Sequence, residues 1–126
     1  MRTVIFTSIL LIGIIAFSWF TLSYLENTSR EMLELVDSLE NIITTEDWPA
    51  AKDPLTSINS LWGKIEKRWT IILDHSETDE IELTVARLKS YIKSKELGSS
   101  LAELSALKFL LQHIPGKHHL QLHNIF

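Results

Sequence analysis

The sequence contains no cysteine and only four glycines and three prolines. Without cysteine the chain cannot form a disulfide, a Cys-ligated zinc site, a redox dithiol or a thiol nucleophile. Four glycines do not supply a glycine-rich loop of the kind that cradles phosphates. The scarcity of chain breakers and the helical spacing of apolar residues instead predict an all-α fold.

Near the beginning of the chain, no charged side chain lies between Arg2 and Glu26. The uncharged run, Thr3 to Leu25, is 23 residues long. As a helix it would extend about 34 Å, which exceeds the ~30 Å hydrocarbon core of a bilayer. We therefore predict an N-terminal transmembrane anchor in residues 1–26, with these positions representing its apolar surface: Val4, Ile9, Leu11, Ile15, Trp19 and Tyr24.

The flanking charges predict the orientation of this anchor. Arg2 and the amino terminus are positive, whereas Glu26 opens the other flank. The positive-inside tendency places the N-terminus in the cytoplasm and residues 27–126 outside, with about two residues left on the cytoplasmic side. We expect Trp19 and Tyr24 to lie near the outer headgroup layer, as amphipathic rings prefer.

A cleaved signal peptide is the main alternative to a retained anchor. Its apolar core would be about 7–15 residues long and would end in small residues at the cleavage site. The candidate sites are Ala16-x-Ser18 and Thr21-x-Ser23, and bulky aromatic residues crowd the first of them. The longer core favours retention in the cell membrane, and a buried soluble helix is the third interpretation.

Residues 26–126 carry 11 of the 12 basic side chains and all 16 acidic ones, an excess of five negative charges. This balance argues against nucleic acid, and against anionic lipid as the main partner. Residues 27–126 suffice for one small domain. The expected partners are the bilayer through the anchor and an integral-membrane protein, and the sequence leaves homo-oligomerisation open.

The strongest periodic signal lies in the second helical segment, where apolar residues alternate at spacings of three and four. This spacing is typical of a coiled-coil-like seam, and three tryptophans on it would each bury about 150–250 Å². Such a seam is more often core than ligand pocket or partner groove. The predicted seam comprises Trp48, Ala51, Leu55, Ile58, Trp62, Ile65, Trp69 and Ile72. A nearby basic cluster predicts a solvated face or a docking patch for an acidic partner: Lys64, Lys67 and Arg68.

Four segments follow from capping and breaking signals, and short connections between them predict an antiparallel up-down four-helix bundle. The first, about 28–44, has a capping box at Thr28 and continues the anchor without a breaker. The second begins after Asp47, or as late as Pro54, where a kink is expected. The third, about 77–96, is capped by Ser76 and stopped near Gly98. The fourth begins at Ser99 or Ser100 and is interrupted at Pro115-Gly116.

Histidines crowd the C-terminus, and three of them are candidate ligands for zinc, copper or nickel: His113, His119 and His123. His119 and His123 share one face at i, i+4, and the Pro-Gly turn could bring His113 near them. Ordinary surface histidines are the more frequent explanation of such a tail, so we assign no metal site.

Asp74-His75-Ser76 contains three residue types of a hydrolytic triad, but adjacent helical positions point about 100° apart and cannot form a relay. The expected roles are the end of the second segment and the cap of the third, with His75 near a helix C-terminus. No nucleophile, base and orienting group can be placed together. We therefore expect no catalytic residues, no cofactor and no enzymatic activity.

Several short motifs resemble those of the DUF4363 family of small bacterial membrane-anchored proteins, over nearly the whole chain. They are the N-terminal anchor, Asp47-Trp48, Trp62 with Trp69, Asp74-His75-Ser76-Glu77 and Asn124-Ile125-Phe126. The resemblance implies a single-pass membrane protein with a helical outer domain and no established enzyme activity. It also implies a partner, since members are often encoded beside a small integral-membrane protein.

Three functional hypotheses follow. The leading one is a membrane-anchored extracytoplasmic interaction module, as an accessory subunit of an integral-membrane protein. The alternatives are a four-helix bundle that senses a small molecule and a histidine-tail metal binder. The sequence does not identify the partner, the ligand or the oligomeric state.

Overall fold

A computed structural model describes the backbone of residues 1–125 and the side chains of residues 1–116. It contains four helices, α1 (Arg2–Thr44), α2 (Trp48–Ile72), α3 (His75–Lys93) and α4 (Leu97–Ile125). No strand occurs between residues 1 and 125. The prediction of an all-α fold with four helices is therefore confirmed.

Helix α1 joins the uncharged N-terminal run to the first bundle segment without interruption. Its 43 residues correspond to a length of about 64 Å. The predicted capping box at Thr28 is wrong, because no helix begins there. The Thr28 hydroxyl instead donates to the Tyr24 carbonyl, 2.8 Å away, one turn back in the same helix.

Helix α2 begins at Trp48, as the earlier of the two predicted starts required. The Asp47 carboxylate caps it by accepting the Ala50 N–H at 3.3 Å. The alternative start at Pro54 is wrong, because the helix continues through this residue. Pro54 leaves the Ala50 carbonyl without its usual i+4 donor. Ala50 is exposed, so water can satisfy that carbonyl.

Helix α4 also passes through a proline, and the predicted break at Pro115-Gly116 is wrong. Pro115 has no N–H to donate to the carbonyl of Leu111, four residues earlier. The hydroxyl of Ser29 on α1 donates to this carbonyl instead. Both Ser29 and Leu111 are buried, so water is not the substitute donor. A side chain from a neighbouring helix thus completes the hydrogen bonding of α4.

The predicted ends of the third and fourth segments are displaced by a few residues. Asp74, and not Ser76, is the N-cap of α3, without a capping side-chain hydrogen bond. His75 is the first residue of α3 and lies three residues after Ile72, the last residue of α2. Helix α4 begins at Leu97, two residues before the earliest predicted start.

The turn between α3 and α4 uses no glycine, so the predicted stop near Gly98 is wrong. Lys95 adopts the left-handed conformation with φ of 56°. The N–H of Lys95 donates to the Ile92 carbonyl at 3.0 Å, and the N–H of Glu96 donates to the Tyr91 carbonyl at 2.9 Å. These two bonds form a Schellman motif. Gly98 lies inside α4 instead.

The four helices pack around one core. Helix α1 contacts α2 and α4, and α3 contacts α4 and, less extensively, α2. Connections of two or three residues keep successive helices adjacent. Two ion-pair groups bridge helices on the surface, Lys108 with Asp37 and Glu40, and Arg87 with Glu80 and Glu103. The first core residue of α1 is Leu25, and α1 contributes Leu25, Met32, Val36, Leu39 and Ile43.

Candidate functional site at the junction of the N-terminal helix and the bundle

The first half of α1 is uncovered. An 18-residue window of this helix has a mean hydropathy of 2.2, and none of it is buried. It is the one helix among the described residues that is long and apolar enough to cross a membrane. The core helix of a soluble protein could meet the same criteria, but such a helix would be mostly buried. The predicted anchor residues Val4, Ile9, Leu11, Ile15 and Trp19 are all exposed, Trp19 by 72%.

The structure places all eight predicted seam residues of α2 on its inner side, and Ala51 is fully buried. Ile58, Trp62, Ile65 and Trp69 are buried, whereas Trp48, Leu55 and Ile72 are partly buried against the core. The rings of Trp62 and Trp69 meet edge to face, with centroids 5.7 Å apart and planes at 85°. This geometry is one that aromatic pairs prefer.

A hydrogen-bonded chain fixes α2 to α1 where α1 enters the bundle. The indole N–H of Trp69, which is fully buried, donates to the Thr28 hydroxyl at 2.9 Å. That hydroxyl in turn donates to the Tyr24 carbonyl. On the outer side, the Arg68 guanidinium lies 5.7 Å from the centre of the Tyr24 ring, within the range of a cation–π interaction. Helix α1 is therefore held at the junction by both a polar and an aromatic contact.

Sequence reasoning missed Thr28 and Ser29 as links between helices, although a signal was present. Leu25, Ser29, Met32, Val36, Leu39 and Ile43 are spaced four, three, four, three and four apart. Ser29 therefore occupies a position of the buried stripe, where a polar residue requires a partner. The structure supplies that partner as the Leu111 carbonyl.

An open apolar groove of about 310 Å³ lies between α1 and the end of α2. Ile71 is 85% exposed at its edge, an exposure that the seam pattern did not predict. Thr21, Tyr24 and Arg68 are the residues of its lining that carry polar groups. The groove is lined by Phe17, Phe20, Thr21, Tyr24, Arg68, Ile71 and Ile72.

The basic cluster and the triad-like sequence lie on the surface. Lys64, Lys67 and Arg68 are exposed on α2. Asp74, His75 and Ser76 are exposed at the start of α3. The Asp74 carbonyl accepts backbone N–H groups of the first turn, so this sequence initiates α3.

Of the three histidine candidates on α4, the structure describes the side chain of His113 alone. His113 is exposed, and its ring stacks on Phe109 with centroids 4.0 Å apart. Its Nδ1 lies 2.9 Å from the Phe109 carbonyl. The turn that was expected to bring His113 back is absent, because the helix continues through Pro115. The side chains of His119 and His123 lie outside the described residues. Within residues 1–116, no three His, Asp or Glu side chains form a metal-sized group.

Fold and junction together define a class of protein: a four-helix bundle whose first helix extends beyond it as an exposed apolar rod. The family model described as "Domain of unknown function (DUF4363)" matches residues 19–125. The chain therefore belongs to this family, and the match begins at the junction and covers the bundle. Comparison with curated proteins and with solved structures finds no match.

Proposed function

We propose that this protein is a membrane-anchored, extracytoplasmic interaction module that acts as an accessory subunit of an integral-membrane partner. The observation that carries the proposal is the contrast within α1. Its first half is apolar and exposed, whereas its second half contributes buried residues to the core of the bundle. An exposed apolar surface of this size in water is unfavourable, whereas a bilayer accommodates it. Arg2 on the near flank orients the N-terminus toward the cytoplasm.

In the proposed arrangement, the helices run alternately up and down, with the junction at the bilayer surface. The pairing of α1 and α4 supports this direction. Lys108 contacts Asp37 and Glu40, whereas Leu111, further along α4, contacts Ser29, which lies earlier in α1. The short connections between helices support the same alternation for the other pairs.

Membrane topology can be tested with single cysteines, because the natural chain has none. Ser38 is exposed on the bundle half of α1, and Thr3 is exposed at its other end. In intact cells, a membrane-impermeant maleimide should label Ser38→Cys and should label Thr3→Cys only after lysis. Recovery of the protein in the aqueous fraction, or the reverse labelling pattern, would contradict the anchor or its orientation.

The partner hypothesis requires a separate experiment. The full-length protein should co-purify with an integral-membrane protein from a mild detergent. A matched variant replaces residues 4–20 with an unrelated apolar helix of equal length, which preserves the anchor and the bundle. Loss of the partner in this variant would place the contact in the anchor, and retention would place it on the bundle. Recovery of the wild-type protein alone, while other membrane complexes stay intact, would contradict the proposal.

One observation favours a second candidate, a bundle that senses a small molecule. The indole N–H of Trp62 is buried and has no hydrogen-bond partner among the described residues. A buried unpaired donor is unfavourable, so a polar ligand that accepted this bond would bind there with an energetic advantage. Titration of the full-length protein with metabolite mixtures, followed by tryptophan fluorescence, tests this candidate. Trp62→Phe is the control, and a signal that persists unchanged in this variant would exclude Trp62 as the sensor.

A further inference from the structure

The groove at the junction extends along α1 across the expected boundary of the bilayer. Phe17 and Phe20 lie within the uncharged run, which ends at Leu25, and form one end of the groove. Tyr24, at the last turn of that run, and Arg68 form the opposite end. Phe17 and Tyr24 are seven residues apart on one helix, which corresponds to about 10 Å. If the proposed anchor is correct, one end of the groove faces acyl chains and the other faces headgroups.

The exposed Ile71 fits this placement. It is 85% exposed at the end of α2, beside the groove, whereas Ile72 next to it packs against the core. A large aliphatic side chain at this level would contact acyl chains instead of water, which removes its apolar surface from solvent. The groove is thus continuous with the exposed apolar surface of the first half of α1.

The charged end of the groove fits a phosphate. Arg68 forms no ion pair with a carboxylate among the side chains of residues 1–116. Its interaction with the Tyr24 ring leaves guanidinium N–H groups free to donate, and a planar guanidinium binds phosphate oxygens in pairs. Lys64 lies one turn earlier on the same face of α2 and adds a second positive charge.

We propose that this groove binds an anionic phospholipid, with the phosphate at Arg68 and an acyl chain along Phe17, Phe20 and Ile71. This inference rests on the proposed membrane anchor. The chain as a whole is negatively charged, with a formal net charge of −4. The attraction therefore comes from the local geometry of the groove and not from the overall charge of the protein.

Native mass spectrometry of the full-length protein in detergent tests the proposal, with phosphatidylglycerol and phosphatidylcholine of identical acyl chains as probes. Both lipids present a phosphate to Arg68, but the choline ammonium of phosphatidylcholine cancels that negative charge and is repelled by the guanidinium. Wild type should therefore bind phosphatidylglycerol about tenfold more tightly than phosphatidylcholine. Arg68→Gln should remove this preference. Lys67→Gln is the matched control, because Lys67 is an exposed neighbour that does not line the groove and its loss changes the net charge equally. It should leave the preference intact.

A second variant separates the two ends of the groove. Ile71→Ser should weaken the binding of both lipids by severalfold without changing their ratio, and the bundle should stay folded because Ile71 is exposed. Equal binding of the two lipids by wild type, or equal losses in Arg68→Gln and Lys67→Gln, would overturn the proposal. A dimer that excludes lipid from the groove would overturn it as well, because a second copy of the chain would then occupy the groove. If the protein does not partition into membranes, the anchor proposal itself fails, which is a distinguishable result.

Discussion

Residues 2–20 and residues 25–44 belong to one uninterrupted helix, but their side chains follow different patterns. After Arg2, the first part is uncharged on every face, and it is exposed throughout except for the half-buried Ser18. The second part alternates an apolar stripe with charged residues and buries that stripe together with Thr28 and Ser29. In water, an apolar stripe can be buried against neighbouring helices. A helix that is apolar on all sides is instead stable in an apolar solvent. The change of pattern at Leu25 therefore supports the proposal that a membrane anchor ends there and the bundle begins.

Hydroxyl groups show the same contrast. In the first part, Thr7 and Ser8 donate to the carbonyls of Thr3 and Val4 in their own helix. These hydrogen bonds pair the hydroxyl with the backbone of its own helix and create no contact with another helix. In the second part, the Thr28 hydroxyl accepts a hydrogen bond from the Trp69 indole N–H, and the Ser29 hydroxyl donates one to the Leu111 carbonyl of α4. The same residue types are locally satisfied in one region and connect helices in the other.

The largest expected difference between the two parts is in core packing. Leu39→Ala should lower the free energy of unfolding by about 2–5 kcal/mol, because a fully buried leucine leaves a cavity. Leu11→Ala should leave it unchanged, because Leu11 is exposed. Denaturation of the full-length protein in mild detergent, followed by tryptophan fluorescence, measures both. Equal losses would show that the first part is also covered, which would end the comparison.

The second prediction concerns membrane insertion, which should depend on the first part of α1 and not on the second. Ile15→Arg places a charge near the middle of the uncharged run and should cost about 2.5–3.5 kcal/mol for membrane insertion. The membrane-integrated fraction after alkaline extraction should fall, while the denaturation midpoint of the bundle stays constant. Ser38→Arg is the control, because Ser38 is exposed in the second part. Identical membrane fractions for Ile15→Arg and wild type would contradict the membrane interpretation of the first part.

The third prediction concerns the hydroxyl groups. Ser29→Ala should destabilise the bundle by about 1–3 kcal/mol, because it leaves the buried Leu111 carbonyl without a donor. Ser8→Ala removes a hydroxyl that serves only its own helix and should have little effect. A double variant, Ser29→Ala with Pro115→Ala, supplies the Leu111 carbonyl with a backbone N–H again and should recover part of the loss. The absence of any recovery would show that Ser29 does not compensate for Pro115.

The sequence was sufficient to predict the helices and their inward faces, because periodicity is a local property. It predicted the continuity of α1 from the absence of a breaker, and the seam of α2 from its alternating spacing. It failed at Pro115, because the donor that replaces the missing N–H comes from Ser29, which is remote in sequence. The continuation of a helix through proline is therefore decided by tertiary contacts, which a local breaker rule does not include.

The junction groove was beyond sequence reasoning for a related reason. Tyr24 and Arg68 were each noted, one as an interfacial ring and one as part of a basic cluster, but their contact depends on the relative position of α1 and α2. Ile71 is not a seam position but is adjacent to the seam residue Ile72. Helical periodicity does not predict what contacts a residue next to the seam. The turn at Lys95 was missed because a left-handed lysine replaces the glycine that such turns favour.

The smallest predicted effect concerns the ion pairs that join the second part of α1 to α4. Lys108 Nζ lies 2.8 Å from Asp37 Oδ1 and 2.6 Å from Glu40 Oε2. Its side-chain hydrogen bonds to Asp37 and then to Glu40 raise the pKa of Lys108 above its ordinary value of 10.5. A raised pKa means that the folded state binds this proton more tightly than the unfolded state. The ion pairs therefore stabilise the fold fully below about pH 10.5, and this contribution is lost as the pH rises further.

Lys108→Met should lower the free energy of unfolding at neutral pH by about 0.5–1 kcal/mol, a modest value because the carboxylates are partly solvated. The difference between wild type and variant should shrink as the pH rises above 10.5 and should also shrink in high salt. Lys89→Met, at an exposed position without an ion pair in the described structure, is the control and should show neither trend. No ion pair joins residues 2–20 to the bundle among the described side chains, so this pH dependence belongs to the second part of α1 alone. A difference between wild type and Lys108→Met that stayed constant from pH 7 to pH 12 would show that Lys108 acts through its methylene packing and not through its charge.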